Sequence, residues 1–413
     1  MKRTAVVLLT AAMSLLLVSC GLFSRDKGHR KVDWEPVGHL TLALRAGTYA
    51  DVIEQCVLTF EEETHIYCDL LKLGEDELHS GIVENSADKE GAYDICMVDG
   101  SWMAEYTEKG ILLNLSDYGY ELDDDIIPAT KEICYNDGDV YLAPYYGNVT
   151  ILLYNKRLAK AAGFGDEGID SLEDIMTICR YAAAHRNLGF LYRGDTENNI
   201  VVDFLPVLLS YGGWVVDDDN NPTVDTPEFH KAMEYYLELI STGKAETKEN
   251  LILAIVNQAA AMGVGWPGWY TPERNGQADY AAITGKVSVD SKAYNANVYG
   301  IWAIGVTQNS GNKENAVRLL KYLMDPDVQK GTVPSGGVPC RYSSLADPDI
   351  LKKFPQYEPV RQALEGGVYR PIMAEWKDFY TILGSEMRYI INGEKSVDEG
   401  LSAAQRELEE MLK

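Results

Sequence analysis

Residues 39–73 read HLTLALRAGTYADVIEQCVLTFEEETHIYCDLLKL. Residues 39–44 alternate and then turn apolar, the pattern of a strand entering a core. Ala46-Gly47-Thr48-Tyr49 is a turn. Residues 50–62 place Val52, Ile53, Cys56, Val57 and Phe60 on one face of a helix, and 66–73 reads as a second strand. Residues 93–98 form a third apolar run, ending in Asp99-Gly100-Ser101-Trp102 before a short helix stopped by Gly110. This alternation predicts an α/β fold with a parallel sheet and helices outside. Ligands of such sheets sit beyond the carboxyl ends of the strands. That rule selects 47–49 and 99–102, and with them Tyr49, Asp99 and Trp102.

The pattern continues downstream. Residues 138–146 (GDVYLAPYY) lead into a strand over 147–153 and a helix opened by Tyr154-Asn155-Lys156 and ended at Gly163. Ser171-Leu172-Glu173-Asp174 is a capping box, with Ser at the N-cap and Asp three residues on. Residues 204–210 are apolar and helical, closed by Tyr211-Gly212-Gly213-Trp214. Thr226-Pro227-Glu228 places a cap before a proline at the first helical position. A strand over 298–306, a helix over 312–324 and a turn at 336–339 into Arg341 follow. Residues 357–392 are largely helical around Pro371, and Ser396-Val397-Asp398-Glu399 caps the terminal helix. A chain of 413 residues exceeds one usual domain. With no repeat and no low-complexity linker, its two lobes are expected to interleave.

Residues 261–270, AMGVGWPGWY, crowd Trp266, Trp269 and Tyr270 among Gly263, Gly265, Pro267 and Gly268. Gly and Pro forbid a regular helix here. The result is a rigid loop presenting flat apolar faces with polar edges, a surface suited to a sugar; the same rings would also serve as core packing at a domain junction.

The N-terminus carries Lys2 and Arg3 before an apolar run over 5–18, too short to span a bilayer. This is the pattern of a signal peptide. It ends in Leu17-Val18-Ser19-Cys20-Gly21, which resembles a lipobox, with cleavage before Cys20 and lipid on its thiol. Residues 24–31 read as a polar tether. The formal net charge of −26 argues against nucleic acid and against anionic lipid as partners. Cys56, Cys68, Cys96, Cys134, Cys179 and Cys340 form no CxxC pair and no metal-ligand spacing with His, and are read mostly as buried thiols. The acidic run from Asp217 to Glu228 matches the spacing of a calcium loop but has Pro222 where the loop requires Gly. Tyr145-Tyr146 resembles the tyrosine pair of ferric-ion binders, yet no His or carboxylate partners can be placed. No metal or cofactor is expected. No HExxH or GxSxG is present.

The order of these motifs resembles the family 1 extracellular solute-binding proteins of ABC importers, of maltose-binding type. The matching pieces are the lipobox, Pro144…Leu153-Tyr154-Asn155-Lys156…Gly163, the Ser171 cap, Gly212-Gly213-Trp214, Ala260-Ala261-Met262…Gly265-Trp266, the 312–324 helix, Gly337-Val338-Pro339-Cys340-Arg341 and the terminal helix. The resemblance implies a two-lobe periplasmic-binding-protein type II fold with hinge crossings. It divides the chain into a signal peptide (1–19), a lipidated tether (20–37), lobe 1 (38–144 with 298–343) and lobe 2 (145–297 with 344–413). Hinges are expected near 143–146, 297–300 and 341–345. It implies a monomeric, non-enzymatic lipoprotein outside a bacterial membrane that passes a carbohydrate to ABC permease subunits. Trp266 resembles the family's stacking position and Trp376 a second one. Trp269, Tyr270, Trp214, Tyr145, Tyr146 and Arg341 complete the candidate contacts. The alternatives are a same-fold lipoprotein for a peptide or metal, a chemoreceptor subunit, or a secreted glycosidase.

Overall fold

The computed structural model describes residues 32–165, 168–272, 276–283, 285–288, 291–292 and 294–413. The expected signal peptide, the Cys20 lipidation site and the tether over 24–31 lie outside the described residues. The chain divides at Glu35/Pro36. Residues 32–35 are irregular, and residues 36–413 form one compact unit.

That unit is built on two five-stranded sheets. In the first, Gly38–Arg45 lies between Ile66–Leu73 and Ile95–Asp99, parallel to both. Trp302–Val306 then runs antiparallel to Ile95–Asp99 and to Ala143–Tyr146. The sheet is therefore mixed, not wholly parallel as the early alternation predicts. Its first three strands follow the local helix-crossover logic, while the fourth returns from a distant part of the chain. In the second sheet Ala260–Gly265 pairs parallel with Leu188–Arg193 and antiparallel with Ile151–Asn155. Lys244–Glu246 and Ala278–Ala281 form its edges.

Capping residues punctuate the helices as the sequence suggests. Ser396 and Glu399 form a reciprocal capping box at the terminal helix Val397–Met411. Ser171 accepts from the Asp174 N–H, while Asp174 itself turns to the Asp170 N–H. Thr226 caps Pro227–Ser241.

The chain passes between sheets over 147–150 and again over 282–301. Leu345, Tyr357, Val360 and Leu364 join the apolar core of the first sheet, and the Tyr357 hydroxyl donates to the Gly337 carbonyl at 2.7 Å. Trp376, Phe379, Leu383 and Met387 join the other core. A short parallel pair, Val298–Tyr299 with Val368–Tyr369, ties two of the crossing segments together. Among the described residues no helix is long and apolar enough to cross a membrane.

Candidate functional site

Between the two sheets lies a cavity of about 740 Å³, lined from both sides. Three strands that run parallel to a neighbour end at it. Arg45 closes Gly38–Arg45, Asp99 closes Ile95–Asp99, and Arg193 closes Leu188–Arg193. Trp266 directly follows Ala260–Gly265 and also reaches the cavity.

Of the residues singled out from sequence, Tyr49, Asp99, Tyr146, Trp266 and Trp269 line this space. Tyr49 meets Tyr146 edge-on, with ring centroids 4.7 Å apart, and Trp302 at 5.6 Å. Burial pushes the Tyr49 phenol up to about 12, so it is a neutral hydroxyl across the physiological range. It accepts a hydrogen bond from Asn148 Nδ2 at 3.2 Å. Trp266 is held from behind by a close backbone: a methyl group on Gly300 would stand 2.8 Å from its ring. Gly268 likewise permits contact with the Tyr146 hydroxyl, which a methyl group there would approach to 2.0 Å. The Tyr280 hydroxyl fixes the loop by donating to the Trp266 carbonyl and accepting from the Tyr270 N–H. Pro267–Trp269 is a single 3-10 turn.

The other candidates do not reach the cavity. Trp102 stands behind it, edge-on to Trp302 at 5.4 Å. Tyr270 packs against the core of the first sheet, and Trp214 against that of the second. Tyr145 is buried beside Cys56, on the opposite face of the strand from Tyr146. Trp376 is 3% exposed and stacks on Phe379 at 5.5 Å. Arg341 is 1% exposed because its charge is used internally. It donates to Asp123 at 2.7 Å, to Gln329 at 2.8 Å and to the Met324 carbonyl at 2.6 Å.

Several lining residues carry charge or polarity that the motif reading did not select. Arg370 donates to both Asp99 oxygens at 2.7 and 2.8 Å in a buried pair. Arg193 Nε donates to the fully buried Asp203 at 3.1 Å, and its guanidinium lies 5.1 Å over the Trp269 ring. Glu75, also at the cavity, is pushed above the usual carboxylate range by withdrawal from water and by the Asp99 charge. Asn148 and Asn198 each present a buried side-chain oxygen without a partner. The strand-end rule that selects Asp99 also selects Arg45 and Arg193; applying it to every strand would have found both.

Elsewhere, Asp217 accepts from the Asp219 and Asn221 N–H groups and from Asn221 Nδ2, closing its own hairpin. Among the described residues no three His, Cys, Asp or Glu side chains are grouped to hold a metal. The six described cysteines are free thiols, five of them buried.

A sequence profile of the bacterial extracellular solute-binding proteins matches residues 43–330. The chain belongs to that family. It is 23% identical over 278 residues to the "probable amino-acid ABC transporter periplasmic-binding protein" of Sinorhizobium fredii, covering 65% of this chain and 64% of that one. It is 24% identical over 205 residues to the arabinooligosaccharide-binding protein of Halalkalibacterium halodurans, covering 47% and 44%. The chain thus spans less than two thirds of the length of these curated relatives. Among solved structures, maltose-bound MalE3 of T. maritima superposes with a TM-score of 0.80 at 20% identity, over 91% of this chain and all of that one. A ribitol-bound ABC transporter solute-binding protein of Agrobacterium radiobacter gives 0.79 at 22% identity, over 91% and 99%. The fold is therefore the two-lobe α/β architecture of periplasmic binding proteins, and family membership implies an extracytoplasmic location.

Proposed function

We propose that this solute-binding protein captures a sugar or oligosaccharide in the interlobe cavity and delivers it to the permease of an ABC importer, without catalysing a reaction. The observation that carries this reading is the convergence of Tyr49 and Trp302 from one sheet and Trp266 and Trp269 from the other on a single 740 Å³ space. That volume lies within the usual range for small-ligand pockets. Indole faces stack on the apolar face of a pyranose, while the unpartnered Asn148 and Asn198 oxygens await hydroxyl donors. Micromolar affinity requires about −8 kcal/mol, within reach of two or three stacked rings and several charge-assisted hydrogen bonds.

Binding would proceed by hinge closure around the ligand. We place the crossings at 147–150, 282–301 and 366–375. The third differs from the 341–345 expected from sequence, because residues 345–364 pack with the first core and Arg341 is locked within it. Lobe 1 then comprises 38–146, 302–365, and lobe 2 the remainder from 151 to 413.

The lipobox-like Leu17-Val18-Ser19-Cys20 supports a lipid anchor on Cys20 that tethers the protein outside the membrane. A thermal-shift and calorimetric screen tests the ligand class. Saccharides should raise the melting temperature; stabilisation by amino acids, peptides or metal ions alone would replace this reading. Cys20→Ala should release the protein from the membrane fraction, and unchanged partitioning would remove the anchor.

A further inference from the structure

The charges around the indoles say more about the ligand than the indoles do. Three cations from the two lobes converge on two rings. Arg45 lies 5.9 Å over Trp302 from the first sheet. Arg193 lies 5.1 Å and Lys248 5.7 Å over Trp269 from the second. All five residues line the cavity.

The neighbouring acids are mostly committed elsewhere. Asp99 is held by Arg370, Asp203 by Arg193, and Asp76 by Lys377 at 3.2 Å. Glu197 accepts from Arg388 at 2.9 Å, while Asp195, at the cavity, accepts from the neutral Asn199 amide at 2.9 Å and keeps its charge. What remains is asymmetric. Among the described residues Arg45 has only Glu75, at 3.8 Å, beyond hydrogen-bonding distance. Lys248 has no carboxylate within ion-pair distance among the described residues, although the exposed Glu249 beside it also lines the cavity. Partial withdrawal from water holds the Lys248 ammonium below the usual lysine range; the Glu249 charge opposes this, and Arg45 and Arg193 add to it. The three cations therefore feel one another across the cleft. Arg193 already has the buried Asp203 as its counter-charge; closing the lobes on a neutral ligand would strip water from Arg45 and Lys248 without supplying one, an unfavourable exchange.

The backbone is arranged to the same end. The helix Thr48–Thr64 opens at the cavity from Gly47, which has φ of 98° and no side-chain cap; the Ala50 and Asp51 N–H groups turn back to the Gly47 carbonyl, leaving those of Thr48 and Tyr49 to meet an anion. The second, independent pointer to a ligand is Asn148. It is 4% exposed and lines the cavity, and its Oδ1 has no partner. An anion alone would leave that acceptor unmet, whereas a hydroxylated anion would satisfy it.

We propose that the ligand is an acidic saccharide, whose carboxylate, phosphate or sulfate is clamped between Arg45 of one lobe and Lys248 of the other. This rests on the sugar reading of the same site and narrows it.

The test is calorimetry on the mature protein with matched pairs: digalacturonate against galactobiose, and glucose 6-phosphate against glucose, each at low and high salt. The acidic member of at least one pair should bind tenfold or more tighter, and salt should narrow the gap. Arg45→Gln and Lys248→Gln should each reduce that preference several-fold, and Arg45→Lys should keep part of it. Lys248 is exposed, so its variant remains informative if Arg45→Gln fails to fold. Preference confined to one pair tells a sugar carboxylate from a sugar phosphate. Neutral sugars binding as tightly as acidic ones would overturn the acidic ligand and leave the sugar reading standing. Binding of no saccharide, neutral or acidic, would overturn both.

Discussion

Two tryptophan-bearing segments, 261–270 and 369–381, look equivalent in sequence, and the structure uses them in opposite ways. In the first, Trp266 and Trp269 turn into the cavity. In the second, Trp376 turns away from it, while Arg370, Lys377, Tyr380 and Thr381 face it. The difference is periodicity. Trp376–Ile391 is a helix, so direction follows from spacing. Trp376, Phe379, Leu383, Met387 and Ile390 share the buried stripe, and 377, 380 and 381 fall on the other side. Residues 266–269 have no such period; their direction is set by Gly268, Gly300 and the Tyr280 hydroxyl, all remote or featureless in sequence. Aromatic identity marks a ring as valuable. Only the repeat around it says which way it points.

Trp376 should give the largest effect. As a 3%-exposed ring stacked on Phe379, its truncation to Ala should destabilise the fold by about 3–5 kcal/mol. Urea unfolding should show the loss, while ligand affinity of the folded protein should change little. Near-wild-type stability with weakened binding would invert the comparison and return Trp376 to the cleft.

Trp269 should behave the other way. Its ring is partly exposed and carries Arg193 and Lys248 on it. Trp269→Ala should weaken ligand binding by about 1–3 kcal/mol, on the scale of a buried aromatic contact. The melting temperature without ligand should barely move. Tryptophan fluorescence sharpens the test: ligand should perturb the wild type and perturb Trp269→Ala less.

The contrast also explains what could be read before the fold was known. The units set by local rules were legible: the Ser396 box, the Thr226 cap and the crossover over 39–73 all appear as expected. The antiparallel return of Trp302–Val306 was not, because strand pairing with Ile95–Asp99 is a contact between distant residues. Helix Glu75–Ser86 was missed because its apolar stripe is thin, resting on Leu78 and Ile82. In the site, Asp99 and Tyr49 followed from strand ends, whereas Arg341 misled because a buried arginine and a ligand-binding arginine have the same sequence signature. Only the nearby Asp123 and Asp125 reveal its structural use.

The smallest effect belongs to the cleft-facing side of the 376–391 helix. Lys377 reaches across to Asp76, at the start of helix Glu75–Ser86, with N and O 3.2 Å apart. A cation in the first turn of a helix opposes the helix dipole, so the pairing offsets a small local cost. Both side chains are largely exposed, at 63% and 89%, and exposed pairs contribute about 0–1 kcal/mol. With the lobes divided as proposed, the pair joins them, so its weak attraction favours the closed arrangement. A double-mutant cycle of Asp76→Asn and Lys377→Gln, read as ligand affinity, should give a coupling below about 1 kcal/mol at low salt. It should vanish near 1 M salt, where the screening length falls to about 3 Å. A larger coupling that survives salt would make this helix a latch as important to binding as the indole loop, and the division of labour between the two segments would fail at its weakest point.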